Sequence, residues 1–234
     1  MTLVEEAAAL GIALTEAHEA QFDIYARELA SWNAHTNLTA ITAPDDVRVR
    51  HFLDSLTVPL VVPMRPGLRV IDVGTGAGFP GLPLKIVYPE INLTLLEATG
   101  KKIAFLSHMV AMLRLEGVAL LNARAEDAGQ MRDQRGVYDV VLARAVARLP
   151  ALLEYLLPLA KVGGVCVALK GKTAHEEAAD AAHALTELRG RIQKIEAVTL
   201  PGIDEPHYLI AVEKTAPTPA LYPRKPGIPT KKPL

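Results

Sequence analysis

Hydrophobic and polar residues follow a helical pattern in the first third of the chain. One predicted helix buries a face formed by Phe22, Tyr25, Leu29 and Trp32, which recur at helical spacing. Asn and Thr residues between positions 33 and 42 interrupt that pattern, and a second helix is predicted to begin at Pro44. The predicted buried face of this second helix comprises Phe52, Leu53 and Leu56. Residues 1–66 therefore form a predicted helical extension.

From Leu68 onward, short apolar runs alternate with helical patterns. The predicted strands cover residues 68–73, 91–97, 118–123, 138–145, 163–171, 191–200 and 207–214. The predicted helices cover residues 80–89, 101–116, 149–160 and 174–190. Strongly apolar strands at this spacing are typical of a parallel sheet that is covered on both faces. We predict an α/β fold with a doubly wound, mostly parallel sheet, in which residues 67–214 form a Rossmann-like domain and the ligand lies beyond the carboxyl ends of the strands.

Composition narrows the class of protein. The chain has 234 residues, half of them hydrophobic, and one cysteine, which fits one large domain without an intrachain disulfide. The first residues lack a signal-peptide pattern and no stretch is apolar enough to span a membrane, so we expect a cytoplasmic protein. The net charge of −1 gives no global preference for nucleic acid. The tail 215–234 is basic and proline-rich, which suits either a solvated, extended terminus or a local phosphate contact.

Four glycines follow the first predicted strand. Gly74, Gly76, Gly78 and Gly81 stand between a strand and a helix, and residues 76–81 match the pattern G-x-G-x-x-G. This arrangement binds either a dinucleotide or S-adenosylmethionine. Asp72 ends the strand, where a carboxylate opposes a pyrophosphate but suits the cationic end of S-adenosylmethionine. The loop therefore favours the sulfonium cofactor, and an NAD-dependent dehydrogenase is the alternative.

Acidic residues follow the next two predicted strands as well. Glu97 ends the second strand, where its carboxylate can accept hydrogen bonds from ribose hydroxyls. Ala125 and Glu126 follow the third strand, where an acid with backbone amides can address the edge of an adenine. Each acid also has an ordinary explanation, as a solvent-facing strand end for Glu97 and as a helix-capping residue for Glu126.

Many segments in a fixed order resemble one bacterial family. They include "VIDVGTGAGFPGLPLKI", "HFLDSL", "LLEATGKKIAFL", "ARAED", "YDVVLARAVARL", "LKGK" and "YPRKPGIPTKKPL". The sequence resembles the bacterial 16S ribosomal RNA guanine-N7 methyltransferases, also called small-subunit methyltransferase G or glucose-inhibited division protein B. The resemblance implies a class I S-adenosylmethionine-dependent methyltransferase fold and an acceptor guanine in the decoding-region (530) loop of 16S rRNA. The cofactor contacts that it implies are Gly74, Phe79, Glu97, Ala98, Thr99, Ala125, Glu126 and Arg144.

The implied chemistry needs no general base. Guanine N7 carries a free lone pair and no proton, so His51, Asp54 and Ser55 need not form a catalytic triad, and catalysis comes from positioning. The N7 edge lies in a groove that side chains cannot read in an RNA helix, so the base must be in a loop or extruded. The candidates for stacking on the base or binding its phosphate are Phe79, Arg144 and Arg148. The alternative roles are a core phenylalanine and surface arginines.

Phosphate contacts are expected to be local. The candidates are Arg48, Arg50, His51, Lys101, Lys102, Lys170, Lys172, Arg224, Lys225, Lys231 and Lys232. We favour Lys170 and Lys172, because they end the fifth strand at the ligand edge of the sheet. If about four cations bind phosphates, affinity should fall with salt at a log–log slope near −3, from ~0.7 per single-strand contact. The histidines show no metal-ligand spacing, and we expect no metal and a monomer.

Three other functions fit parts of the pattern. A methyltransferase that acts on a small metabolite would not need the basic tail. A dehydrogenase would bind NAD at the glycine loop, where the carboxylate of Asp72 would oppose the pyrophosphate. The partner expected for the methyltransferase is the 16S rRNA or the 30S subunit, whereas an RNA-binding or assembly module would bind RNA and transfer no methyl group.

Overall fold

The computed structural model describes residues 2–234, which form ten α-helices and one seven-stranded sheet. The helices are α1 (Leu3–Ala9), α2 (Glu16–Thr36), α3 (Pro44–Asp46), α4 (Gly81–Val87), α5 (Gly100–Met112), α6 (Ala125–Ala128), α7 (Leu149–Leu156), α8 (Ala174–Asp180), α9 (Ala182–Leu188) and α10 (Ile228–Lys231). The strands are β1 (Arg69–Val73), β2 (Asn92–Leu96), β3 (Val118–Leu121), β4 (Tyr138–Arg144), β5 (Ala160–Lys170), β6 (Gly190–Val198) and β7 (His207–Lys214). A π-helix (Val47–Leu53) and a 3-10 turn (Val58–Leu60) complete the N-terminal part.

The sheet confirms the predicted doubly wound architecture. Its strand order is β3-β2-β1-β4-β5-β7-β6, and every neighbouring pair is parallel except those that involve β7. The chain winds outward from β1 in one direction and from β4 in the other, so the carboxyl ends of β1 and β4 border a crevice. The glycine loop that follows β1 opens into this crevice.

The N-terminal helices pack into the same core as one face of the sheet. Helix α2 begins after Thr15, whose side chain accepts a hydrogen bond from the His18 N–H at 3.3 Å. Phe22, Tyr25 and Leu29 are buried as predicted, whereas Trp32 is half-buried and packs on Phe105. These side chains share one hydrophobic cluster with sheet residues of β1, β2, β4 and β5. The extension therefore packs as a layer on the sheet.

The second predicted helix departs from α-helical geometry. It begins at Pro44 as expected and continues as the π-helix Val47–Leu53. Phe52 and Leu53 are buried as predicted, and the preceding His51 is buried too. π-Helical turns occur frequently at functional sites, and this one lies beside the crevice.

The opposite face of the sheet is covered by α7, α8 and α9. The predicted helix 174–190 is two helices, because the chain makes a tighter turn at Ala181, whose N–H donates to the carbonyl of Ala178. The predicted helix 149–160 ends at Leu156, and β5 begins already at Ala160.

The C-terminal tail is folded onto this face rather than extended in solvent. Tyr222 and Pro223 are buried, and Tyr222 belongs to the hydrophobic cluster beneath α7. Across residues 2–234, no helix has both the length and the apolar character that crossing a membrane requires.

Candidate active site

The glycine loop crosses the carboxyl end of β1 with very little free space. Gly74, Gly76 and Gly78 all adopt positive φ angles, which L side chains rarely take. A Cβ atom on Gly74 would lie 2.8 Å from the side chain of Val146, and one on Gly78 would lie 2.5 Å from the Tyr25 hydroxyl. Glycine at these two positions therefore lets the loop approach both α2 and the residues that follow β4.

Asp72 lies fully buried beneath the loop. Its Oδ2 accepts hydrogen bonds from the Thr75 hydroxyl at 2.6 Å and from the Gly81 N–H at 2.9 Å. Its Oδ1 is buried without a partner. Burial raises the pKa of Asp72 to about 6, against the lowering effects of the two hydrogen bonds and of Arg144, and Glu97 raises it further. An unpaired buried carboxylate oxygen is costly, so this atom fits a cationic ligand such as the amino acid end of S-adenosylmethionine.

One cavity of about 290 Å³ gathers the acids that follow β2 and β3. It is lined by Val73, Gly74, Leu96, Glu97, Ala98, Ala123, Arg124, Ala125, Glu126, Val146, Tyr155, Gly227 and Thr230. We call it the cofactor cavity, because five residues predicted to contact the cofactor line it. These residues are Gly74, Glu97, Ala98, Ala125 and Glu126.

Glu97 is fixed in the cofactor cavity by backbone amides. Its Oε2 accepts from the Gly76 N–H at 3.2 Å, and its Oε1 accepts from the Thr99 N–H at 2.8 Å. Each carboxylate oxygen has a second lone pair, so both remain able to accept a ribose hydroxyl. Gly76 and Thr99, which do not line the cavity, border it through Glu97. Asp72, Gly78 and Phe79 lie outside its lining.

A second and larger cavity of about 470 Å³ lies next to the first. We call it the acceptor cleft. It is lined by Ile41, Arg50, His51, Asp54, Arg144, Ala145, Leu169, Lys170, Gly171, Glu177 and His207. The carboxyl ends of β4 and β5 and the π-helix thus form its walls.

The end of β4 separates the two cavities. Arg144 and Ala145 line the acceptor cleft, whereas Val146 lines the cofactor cavity. Ala145 has φ +56°, a left-handed conformation that is uncommon for a residue other than glycine. Backbone strain of this kind is concentrated at functional sites, and here it turns the chain so that consecutive residues reach different cavities.

Arg144 is held rigidly at the floor of the acceptor cleft. Its guanidinium donates to Asp54 Oδ2 and to the carbonyl of Arg50, both at 2.8 Å, and lies 3.0 Å from His51 Nδ1. The guanidinium carbon also lies 5.1 Å from the centre of the Phe79 ring, at a cation–π distance. This side chain therefore has its charge paired and its orientation fixed before any ligand binds.

His51 is a neutral acceptor in this cluster. Burial and the positive charge of Arg144 lower its pKa to about 4. Because Arg144 donates to Nδ1, the imidazole proton lies on Nε2, which is 2.9 Å from the Thr39 hydroxyl. The predicted phosphate contact for His51 is therefore not supported by its surroundings, since the ring is buried and uncharged.

Phe79 does not present a free face to the cleft. Its ring is 5% exposed and stacks between His51, at 4.4 Å, and Tyr25, at 5.2 Å. These contacts favour the alternative role of a core phenylalanine, because the π-helix and α2 cover both faces of the ring. It supports Arg144 from below, and stacking on a substrate base is left to other groups.

Several predicted phosphate-binding cations are already paired. Arg148, which is 57% exposed, binds Glu176 and Asp180, Arg48 binds Glu6 and Asp45, and Arg50 contacts Asp46 and Glu205. Lys170 is nearly buried between Glu177, at 2.7 Å, and the carbonyl of Ala147. Arg224 binds the buried Glu154. Of the lysine and arginine candidates in residues 2–234, those without an ion pair are Lys101, Lys102, Lys172, Lys225, Lys231 and Lys232.

Sequence reasoning missed several residues that shape the site. The sequence assigns no role to Asp54 or His207, and in the structure they lie 3.5 Å apart with Arg144 on the other side of Asp54. Tyr155 and Thr230 line the cofactor cavity. The segment "HFLDSL" contains Asp54, so the family resemblance was the one sequence signal for it. Within residues 2–234, no three His, Cys, Asp or Glu side chains are grouped as a metal site requires.

Comparison with known proteins gives a consistent result. A family model described as GidB, rRNA small subunit methyltransferase G, matches residues 18–204. The chain is 48% identical to a ribosomal RNA small subunit methyltransferase G of Lactobacillus delbrueckii subsp. bulgaricus over 94% of this chain and 93% of that protein. It is 47% identical to the protein of the same name from Roseiflexus sp. over 99% and 98% of the two chains. Among solved structures, P. horikoshii TYW2 in complex with MeSAdo resembles it with a TM-score of 0.56 and 16% identity, over 74% and 64% of the two chains.

Proposed function

The chain belongs to the rRNA small subunit methyltransferase G (GidB) family, and from this premise we propose that it methylates N7 of a guanine in the decoding-region loop of 16S rRNA. S-adenosylmethionine is its cofactor. The observation that carries the proposal is the pair of adjoining cavities, one lined by Glu97 and Glu126 and the other by Arg144, with the end of β4 between them. The first suits an adenosine and the second an extruded base.

The residues of the first cavity suit the parts of this cofactor. S-adenosylmethionine, when bound, supplies an electrophilic methyl group on its sulfonium. Beneath the glycine loop and outside the cavity lining, the unpartnered Oδ1 of Asp72 would accept a hydrogen bond from its ammonium, and within the lining Glu97 would accept from the ribose hydroxyls. Glu126 would accept from the amino group of the adenine. These three acids would hold the two ends of the cofactor beside the acceptor cleft.

The acceptor cleft offers positioning and no base. Transfer to N7 removes no proton from the nucleophile, so neither His51 nor Asp54 has to accept one. Arg144 is oriented by Asp54, the Arg50 carbonyl and His51, which lets it hold the guanine or its phosphate without reorganising. A fixed donor at the point of attack is the arrangement that catalysis by positioning requires.

The unpaired lysines would bind the RNA backbone. Lys172 is exposed and directly follows Lys170 and Gly171, which line the cleft. It is therefore the lysine best placed to meet a phosphate beside the target base. Lys170 instead stabilises the cleft wall through Glu177, and a double substitution of Lys170 and Lys172 would confuse folding with RNA binding.

Methyl-labelled S-adenosylmethionine tests the proposal. The protein is incubated with 30S subunits that lack the modification, with stripped 16S rRNA and with transfer RNA, and the RNA is digested to nucleosides. The expected result is label in 7-methylguanosine from ribosomal RNA alone, together with a reduced yield for Lys172→Ala. Lys161→Ala is the matched control, because Lys161 is a half-exposed lysine at the opposite end of β5.

The same experiment separates the alternatives. Label in another nucleoside would contradict transfer to N7 but would still agree with RNA as the substrate. RNA binding without label, in protein that binds the cofactor, would indicate an assembly module and contradict the proposal.

A further inference from the structure

The C-terminal segment, residues 222–232, lies against the opening of the cofactor cavity. Gly227 and Thr230 belong to the lining of this cavity, beside Glu126 and Tyr155. The segment is distant in sequence from the glycine loop and from the acids that follow β2 and β3. Its position therefore allows it to affect how a ligand binds in the cofactor cavity.

A buried ion pair fixes one end of the segment. The Arg224 guanidinium binds both carboxylate oxygens of Glu154, with its Nε 2.9 Å from Oε1 and a terminal nitrogen 2.6 Å from Oε2. The Arg224 N–H donates to the same Oε1 at 2.7 Å. The Glu154 side chain is fully buried. A bidentate pair with an additional backbone donor is a specific anchor, and it also removes Arg224 from the cations that are free to bind phosphate.

Arg135 and Gln130 hold the chain that leads to the segment. The Arg135 guanidinium donates to the carbonyls of Gly129, Thr218, Pro219 and Tyr222 at 2.6–3.1 Å. The Gln130 side chain donates to the carbonyls of Ala220 and Pro223. Five of these six carbonyls belong to residues 218–223. A single arginine that satisfies so many main-chain acceptors outside any helix or strand defines the path of this loop.

The segment reaches the ligand site through Glu126. The Gly227 N–H donates to Glu126 Oε1 at 2.9 Å, and Gly227 has φ +81°, so the turn that presents this N–H requires a glycine conformation. Glu126 is 7% exposed. Each carboxylate oxygen can accept two hydrogen bonds, so Glu126 keeps lone pairs that can accept a hydrogen bond from a ligand.

We propose that the C-terminal segment is the specificity wall of the cofactor cavity, in which Gly227 positions Glu126 to select a 6-amino purine. The proposal rests on the cofactor role given above to Glu126. A carboxylate accepts a hydrogen bond from the 6-amino group of adenine. The 6-oxo group of hypoxanthine is itself an acceptor, so it forms no such hydrogen bond and repels the carboxylate. Such discrimination depends on a carboxylate that cannot turn away. Arg135 acts as a positioning residue, since it holds the segment without touching the ligand.

The test compares two ligands in the absence of RNA. Dissociation constants of S-adenosylhomocysteine and of S-inosylhomocysteine, its 6-oxo counterpart, are measured by calorimetry for the wild type and for Arg135→Gln. We expect the wild type to prefer the 6-amino ligand by about tenfold or more, as for loss of one charge-assisted hydrogen bond. Arg135→Gln should reduce this preference at least ~threefold, because Glu126 loses its support. Arg191→Gln, at an exposed ion pair on β6, is the matched control and should retain the wild-type preference.

A second measurement uses the unaltered protein, so it does not depend on how any variant folds. Hydrogen exchange of the Arg224, Gly227 and Ile228 amides should slow when S-adenosylhomocysteine binds, by a larger factor than that of the β6 amides. An unchanged preference in folded Arg135→Gln, or exchange in the segment that is insensitive to the ligand, would overturn the proposal. Both measurements omit RNA, so their failure is distinct from failure of methyl transfer to guanine.

Discussion

Replacing Asp72 with Asn separates the stability of the empty protein from its affinity for the cofactor. The carboxylate is fully buried and its Oδ1 lacks a partner. Its pKa rises from an ordinary 3.8 to about 6, which corresponds to roughly 3 kcal/mol of destabilisation near pH 7.5. The folded state binds the proton more readily than the unfolded state. The penalty is therefore absent well below pH 3.8, grows as the pH rises toward 6, and is complete above it.

Asp72→Asn removes this pH dependence. Unfolding by urea at pH 5 and pH 7.5, without cofactor, measures it for the variant and the wild type. Between these two pH values the wild type should lose about 1.4 kcal/mol more of its unfolding free energy than the variant does. The comparison cancels the contributions of all other titratable groups, because both proteins share them. Asp204→Asn, at an exposed carboxylate, should follow the wild type.

The same substitution should weaken cofactor binding. Loss of a charge-assisted hydrogen bond costs ~1.5–3 kcal/mol, or about tenfold to a hundredfold in affinity. For the wild type, affinity for S-adenosylhomocysteine should rise with pH through about 6 as Asp72 ionises, and the variant should show no such rise. If the wild type and Asp72→Asn show the same change of unfolding free energy with pH and the same affinity for S-adenosylhomocysteine, the interpretation of Asp72 as the ammonium acceptor is refuted.

Three further predictions concern the acceptor cleft. Asp54→Asn leaves the nearly buried Arg144 without its ion-pair partner, so the free energy of unfolding should fall by about 3 kcal/mol. The rate of methyl transfer should also drop, whereas the cofactor affinity measured by calorimetry should stay within about twofold of the wild type. Asp54 has a lowered pKa, because hydrogen bonds from His207 and Arg144 outweigh burial, so its stabilising effect is present at neutral pH and is lost on acidification. Because the pKa of His51 is about 4, single-turnover rates at saturating cofactor should be level from pH 6 to 8, and an inflection abolished by His51→Ala would contradict this. Lys172→Ala should make the log–log salt slope of RNA binding shallower by about 0.7, whereas Lys170→Ala should lower stability and leave the slope unchanged.

Local sequence predicts where the glycine loop and the two acids lie, and the cofactor class that the loop indicates is confirmed. The strand, the four glycines and the helix that follows are contiguous, so residues 70–86 indicate both the turn and its ligand class. Glu97 and Glu126 follow strands whose order in a doubly wound sheet places them at one edge. These predictions need only the pattern of each segment and the handedness of its connections.

The parts that depend on distant partners could not be predicted. Arg224 and Lys170 are ordinary basic residues in the sequence, and only folding brings them to Glu154 and Glu177. The proline-rich tail has the composition of a solvated terminus, yet Arg135, some 80 residues away, determines its path. The place of Phe79 in the glycine loop predicts a contact with the cofactor or the base, but the π-helix covers its ring. Ion pairs between residues that are distant in sequence determine which cations remain free, and these pairs cannot be predicted from composition.

In the proposed reaction, donor and acceptor are aligned by the backbone of β4. Arg144 and Val146 face different cavities, and the left-handed Ala145 between them is the turn that makes this so. Val146 also contacts the position where a Gly74 side chain would lie, so the glycine loop and the residues that follow β4 fix each other. Arg144 ends β4, and Ala145 and Val146 follow it directly, so the boundary between the two cavities is attached to a central strand. Methyl transfer that needs neither an acid nor a base can be accelerated by this fixed geometry alone. The ion pair that holds Arg144 in the acceptor cleft before any ligand binds is consistent with such catalysis.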